Sequence, residues 1–93
     1  MNQVKYAYIV KTASYHSKTQ KAVFETDSFK TNMVGVSSVE EACKIAVELT
    51  KTGTSMIDLC SGFNEEDAKK VYNAAKSVGP VRVGFIGKFF VEA

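Results

Sequence analysis

Two stretches of this chain repeat apolar residues at helical spacing, and each lies between short apolar runs too brief to be helices. Val39, Ala42, Cys43, Ala46 and Leu49 form one stripe, and Ala68, Val71, Tyr72, Ala75 and Val78 form the other. Each stretch carries its own start and stop signals. Ser38 opens the first: its hydroxyl can accept from the backbone N–H of Glu41 while that carboxylate reaches back, the capping-box arrangement. Gly53 supplies a left-handed stop. Asn64 caps the second, Glu65, Glu66 and Asp67 set negative charge against the positive end of the helix dipole, and Gly79–Pro80 ends it. Glu40–Lys44, Glu65–Lys69 and Glu66–Lys70 are one-turn pairs on the wet sides.

The flanking runs Val4–Val10, Phe29–Val36, Met56–Cys60 and Val81–Ile86 read as strands. Strands alternating with helices give a mainly parallel sheet. The expectation is a small, open, four-stranded α/β fold in the order β-loop-β-α-β-α-β, half of a Rossmann-like unit. Segment 11–28 has no sustained period and reads as a long loop or lid, with Ala22–Glu25 as a possible short extra strand. If the last three strands step in one direction, right-handed crossovers place both helices on one face of the sheet. By alternation one face then reads as uniformly apolar, from Val4, Tyr6, Tyr8 and Val10 and from Val81, Val83 and Phe85, and the other as mixed. Parallel sheets are normally covered on both sides. Self-association, or segment 11–28, is therefore expected to cover the second face. The terminal Phe89–Phe90–Val91 also asks for a partner surface.

Ninety-three residues suit a single domain over 1–93, and a composition of 45 % hydrophobic and 24 % charged residues excludes disorder, a rod or a disulfide scaffold. Residues 1–36 hold five lysines against two acids, but the formal net charge is only +2. With no concentrated basic stripe, nucleic acid is not expected as a partner. Cys43 and Cys60 fit neither a CxxC pair nor zinc spacing, and with a single histidine in the chain no metal site and no cofactor are expected. Two cysteines without a framework, and no leader or apolar anchor, read as cytoplasmic and not membrane-bound.

The strand-to-helix turn Cys60–Ser61–Gly62–Phe63–Asn64 is the leading site candidate. Ligands of open parallel sheets sit beyond the carboxyl ends of the strands, and a helix N-terminus offers free N–H donors to an anion. Ser61, Gly62, Phe63 and Asn64, joined on the same rim by Ser38, Lys11 and Lys88, form the expected pocket for a small anionic metabolite. A capped turn with no ligand remains the plainer alternative. Cys60 is the candidate nucleophile of a small thiol enzyme, since a thiol near a helix N-terminus can be activated. It can equally be a small apolar residue at a strand end. His16, in the long segment, and Asp58, an acid inside an apolar strand, are the candidate assistants. Asp58 can instead pair with Lys5 or Arg82. A third reading makes the protein a structural or adaptor subunit acting through its bare sheet face.

The run Glu25–Thr26, Val34–Gly35–Val36, Val39–Glu40–Glu41–Ala42 and Ile57–Asp58–Leu59–Cys60–Ser61–Gly62–Phe63 resembles a family of small bacterial proteins known only as a domain of unknown function. The likeness rests on a Val-Gly-Val, a Glu-Glu-Ala helix start and a Leu-Cys-x-Gly-Phe turn. Where that pattern carries a second glycine, this chain has Ser61. The resemblance lends no activity; it draws attention to the turn at Cys60–Phe63.

Overall fold

The structure, a computed structural model, describes residues 2–87. It is a mixed α/β fold with the elements β1 (Val4–Lys11), β2 (Lys21–Glu25), β3 (Phe29–Val36), α1 (Val39–Lys51), β4 (Met56–Leu59), α2 (Glu65–Lys76) and β5 (Arg82–Phe85). The sheet has five strands in the order β2-β3-β1-β4-β5, not four. β3, β1, β4 and β5 run parallel, and β2 pairs antiparallel with β3. The extra strand, β2, falls where Ala22–Glu25 reads as a possible short strand, inside the segment otherwise expected as a loop. β2 is exposed along its whole length, so no alternation of buried and wet positions betrays it.

This routing explains why, among the described residues, one face of the sheet has no helix. From the end of β1 the chain passes through residues 12–20 and returns as edge strand β2, which pairs with β3. No helix is laid down in that step. The next two steps, β3 to β4 across β1 and β4 to β5, are both helical and move the same way across the sheet. α1 and α2 consequently share a face, pack on each other, and cover β1, β3 and β5. The core lies beneath them: Ala7, Ile9, Val34, Val36, Ile57 and Leu59 from the sheet meet Ala42, Ala46, Ala68, Val71 and Ala75 from the helices. The alanine-rich helix faces let the two layers approach closely.

The caps follow their sequence signals, with one exception. Asn64 and Asp67 close a full capping box, at 2.8 and 3.1 Å. Gly53 takes the left-handed conformation, φ 103°. Ser38 Oγ accepts from Glu41 N at 3.0 Å, but the Glu41 carboxylate does not return to Ser38. It accepts instead from Ser37 N and Ser17 N, at 2.8 and 2.9 Å.

Register also corrects the reading of the two faces. Tyr6 pairs with Met56 and Met56 with Arg82, while Ala7 pairs with Ile57 and Ile57 with Val83. Tyr6, Tyr8, Asp58 and Arg82 therefore share the open face, and Val83 and Phe85 lie on the helix side. The apolar rows of β1 and β5 fall on opposite faces. Lys5 also lies on the helix side, where its ammonium donates to Thr52 O at 2.8 Å, so it does not pair with Asp58. Phe89–Phe90–Val91 and Lys88 lie outside the described residues.

Candidate functional site

The carboxyl rim of the sheet is the first place to look. The connection leaving β1 goes toward β3, whereas the one leaving β3 crosses to β4. The strand order therefore reverses between β1 and β4, the kind of switch point where open α/β sheets form a crevice. Lys11 ends β1 there, and Cys60–Asn64 leaves β4 there. The two are in contact: Lys11 N donates to Cys60 Sγ at 3.2 Å, Gly62 N donates to the same sulfur at 3.3 Å, and Lys11 Nζ lies 5.8 Å from the centroid of the Phe63 ring. The structure thus brings together Lys11, Cys60, Ser61, Gly62, Phe63 and Asn64, as the topology requires.

The chemistry at this rim is largely internal. A Cβ on Gly62 would stand 2.8 Å from Lys11 O, so glycine is needed there for the turn to pack against the end of β1. Phe63 is a core residue, 2 % exposed, and Cys60 is buried at 8 %. Asn64 and Asp67 satisfy each other at the start of α2. At the start of α1 the anion position is filled by the chain's own Glu41, whose carboxylate is held down to about 2 by the N–H bonds from Ser37 and Ser17. Ser61 is exposed, and Ser38 is half-buried as the cap of α1.

The three candidate catalytic groups have different partners. His16 is exposed in the 12–20 loop, its Nδ1 accepting from Lys18 N at 3.1 Å and lying 3.9 Å from Glu41 Oε2. Cys60 is engaged by Lys11 and Gly62. Asp58 points onto the open face, where Tyr6 Oη donates to its Oδ2 at 2.9 Å. Cys43 is half-buried on α1, and burial pushes its thiol up. Among the described residues no group of three or more His, Cys, Asp or Glu could hold a metal ion, and no helix is long and apolar enough to cross a membrane.

The open face holds what sequence reading missed. A cleft of about 560 Å³ runs across β1, β4 and β5, lined among others by Tyr6, Phe29, Met56, Asp58, Arg82 and Gly84. Tyr6 and Phe29 stand as a tilted aromatic pair, centroids 6.3 Å apart. Burial, reinforced by the Asp58 carboxylate, pushes the Tyr6 phenol up to about 12. Farther along the face Phe24 is 70 % exposed, and Val4, Phe29 and Met33 are also exposed. The sequence signal was present in the alternation of Tyr6 and Tyr8 with Ala7 and Ile9. Only the cross-strand register tells which row meets Asp58 and Arg82.

A model of DUF6506, a family of unknown function, matches residues 4–89. The chain belongs to this family. The match spans the whole sheet and both helices, in agreement with the resemblance read from the Val-Gly-Val, Glu-Glu-Ala and Leu-Cys-x-Gly-Phe segments. No curated protein and no solved structure matches the chain.

Proposed function

We propose that this DUF6506 protein works as a self-associating subunit, two copies pairing through the open faces of their sheets. The observation that carries this reading is the bare side of the parallel strands, with Phe24, Val4, Phe29 and Met33 exposed on it. Parallel sheets are ordinarily covered on both faces, and clustered apolar side chains on one surface favour a partner.

A second copy is the occupant that fits best. The strands β2, β3 and β1 present Ala22, Phe24, Phe29, Thr31, Met33, Val4, Tyr6 and Tyr8 to this side, none of them charged. Over these three strands two such surfaces can meet without stranding an ion, while Asp58 and Arg82, on β4 and β5, lie beside that patch on the same face. Sheets pack face to face at about 10 Å with side chains interdigitated. Strands about 4.8 Å apart and about 3.3 Å per residue give the five strands, of 8, 5, 8, 4 and 4 residues, a face of roughly 460 Å² in projection. Side-chain relief raises this toward the roughly 800 Å² per partner of a standard interface, and leaves it below that.

The rim at Cys60–Asn64 supports its two readings, a small-anion site and a thiol enzyme, less well. The capping donors at both helix starts are engaged by the chain's own Glu41 and Asn64–Asp67, and the Cys60 sulfur is buried.

Sedimentation equilibrium across a range of concentrations tests the pairing. The wild-type chain is expected to be dimeric, and Phe24→Lys and Met33→Lys to sediment as monomers with unchanged circular dichroism and, at concentrations where the wild type pairs, a lower melting temperature. A wild-type monomer at every concentration, or variants that stay dimeric, overturns the proposal.

A further inference from the structure

The cleft across β1, β4 and β5 contains an acid and a base that do not pair with each other. Asp58 lies on β4 and Arg82 on β5, where Arg82 is in register with Met56, two residues before Asp58. Both side chains line the cleft, yet among the described residues neither forms an ion pair. The two are diagonal neighbours across β4 and β5, a separation that long side chains can reach across. Here Asp58 is fixed elsewhere: Tyr6 Oη donates to its Oδ2 at 2.9 Å, leaving Oδ1 as an acceptor. Gly84 makes room for that carboxylate, since a Cβ at this position would stand 2.7 Å from Asp58 Oδ1. The Tyr6 phenol stays protonated through the physiological range, so the donor that orients Asp58 is not lost. Beside the two charges lies an apolar floor, Met56 on β4 and then the tilted rings of Tyr6 on β1 and Phe29 on β3.

We infer that this cleft binds a small zwitterion, a molecule carrying an ammonium group and a carboxylate on an apolar body. The ammonium donates to Asp58 Oδ1. The carboxylate receives the two-pronged guanidinium of Arg82, the geometry for which arginine is suited. The apolar part rests on Phe29, Met56 and the Tyr6 ring. A volume of about 560 Å³ accommodates such a molecule. The walls of the site belong to one chain. The inference rests on the proposed pairing only for a roof, because well-bound small molecules have most of their surface covered and a second copy on the open face supplies that cover.

The test is an amide NMR titration of the ¹⁵N-labelled protein with L-phenylalanine, L-leucine and L-methionine, with N-acetyl-L-phenylalanine and phenethylamine as probes lacking one charge. The expected result is saturable shifts at Asp58, Arg82 and Gly84 with at least one amino acid. Either single-charge probe should bind about tenfold or more weakly, corresponding to about 1.4 kcal/mol per lost contact. Arg82→Gln should weaken the amino acid while sparing phenethylamine, and Asp58→Asn should weaken the amino acid while sparing N-acetyl-L-phenylalanine. No shifts with any amino acid, or equal binding of the single-charge probes, overturns the inference. Sedimentation of the same samples keeps the two proposals apart: a dimer that ignores every probe sinks the cleft alone, and a monomer that binds them sinks the pairing alone.

Discussion

The two faces of this one sheet are built from the same strands but made for different surroundings. On the helix side, Ala7, Ile9, Val36, Ala42, Ala46, Leu59 and Val71 are wholly sealed, and the side chains are small or aliphatic. On the other, the residues one position away are Tyr6, Tyr8, Phe29, Met33, Asp58 and Arg82, large, adaptable or charged. The aliphatic layer suits permanent contact with two alanine-lined helices. The aromatic and thioether layer resembles the composition of surfaces that meet partners, where Tyr, Phe, Met and Arg are enriched. A sheet that had merely lost a covering helix would be expected to keep aliphatic residues on both sides. This one does not, which argues that its open side is meant to be approached.

The largest expected effect separates the two layers by stability. Leu59→Ala, in the sealed layer, should cost about 2–5 kcal/mol, the range for truncating a buried leucine. Met33→Ala, on the open face, should stay within about 0.5 kcal/mol in dilute solution. Urea unfolding below the concentration of association measures both. Equal losses would mean that the open face is already packed within one chain, and the contrast would fail.

Two glycines sharpen the same contrast at intermediate size. Gly62 faces backbone: an added methyl meets Lys11 O at 2.8 Å, and neither chain segment can move without disturbing β1 or α2. Gly62→Ala should cost about 1–3 kcal/mol, as overpacking does. Gly84 faces the exposed Asp58 carboxylate at 2.7 Å, the end of a side chain that can rotate away. Gly84→Ala should therefore leave the melting temperature nearly unchanged while breaking the Tyr6–Asp58 hydrogen bond. Its mark should be a fall of the Tyr6 phenol below about 12, read by ultraviolet titration, since the Asp58 carboxylate helps to raise it.

The helices, most of their capping and the alternation of strands with helices were legible in the chain because amphipathic period and capping chemistry are local signals. Ser38, Asn64 and Gly53 do what their neighbours in sequence require, whereas Glu41 turns to Ser37 and Ser17, Tyr72 of the second stripe is exposed and Val78 lies beyond α2. The gathering of Lys11 with Cys60–Asn64 followed from topology alone. What was not legible depends on residues distant in sequence. β2, read in sequence as the possible short strand Ala22–Glu25, is exposed throughout, so no buried row tells that it pairs antiparallel with β3. The open-face cleft depends on Tyr6 standing beside Met56, and Met56 beside Arg82, and shifting either register by one residue would exchange the faces. The close neighbour of Gly62 is likewise distant in sequence, the chain's own Lys11 carbonyl.

The smallest effect concerns a corner of the open face that the described residues cover. The ring of Tyr15 lies over Gly35, where an added Cβ would be 2.6 Å from its Cδ2, and the loop carrying it is tied to α1 by Ser17 N on Glu41. Glu41 has its carboxyl lowered from 4.5 to about 2, first by the Ser37 N–H and then by the Ser17 N–H. A depressed carboxyl stabilises the folded state above its unfolded value, and that contribution is lost as pH falls through the folded one. The tie should hold at neutral pH and weaken between about 4.5 and about 2. Glu41→Gln should reproduce the loss at pH 7 at a cost of about 1–2 kcal/mol, because hydrogen bonds to a charged acceptor are replaced by weaker neutral ones. Melting followed from pH 7 to 2 should show the wild type converging on the variant at the acid end. If the two curves stay parallel, Glu41 is not what anchors the loop. If they converge but the Tyr15 resonances do not shift, the loop keeps its place over Gly35 by packing alone, and the covered corner belongs with the sealed face of the sheet.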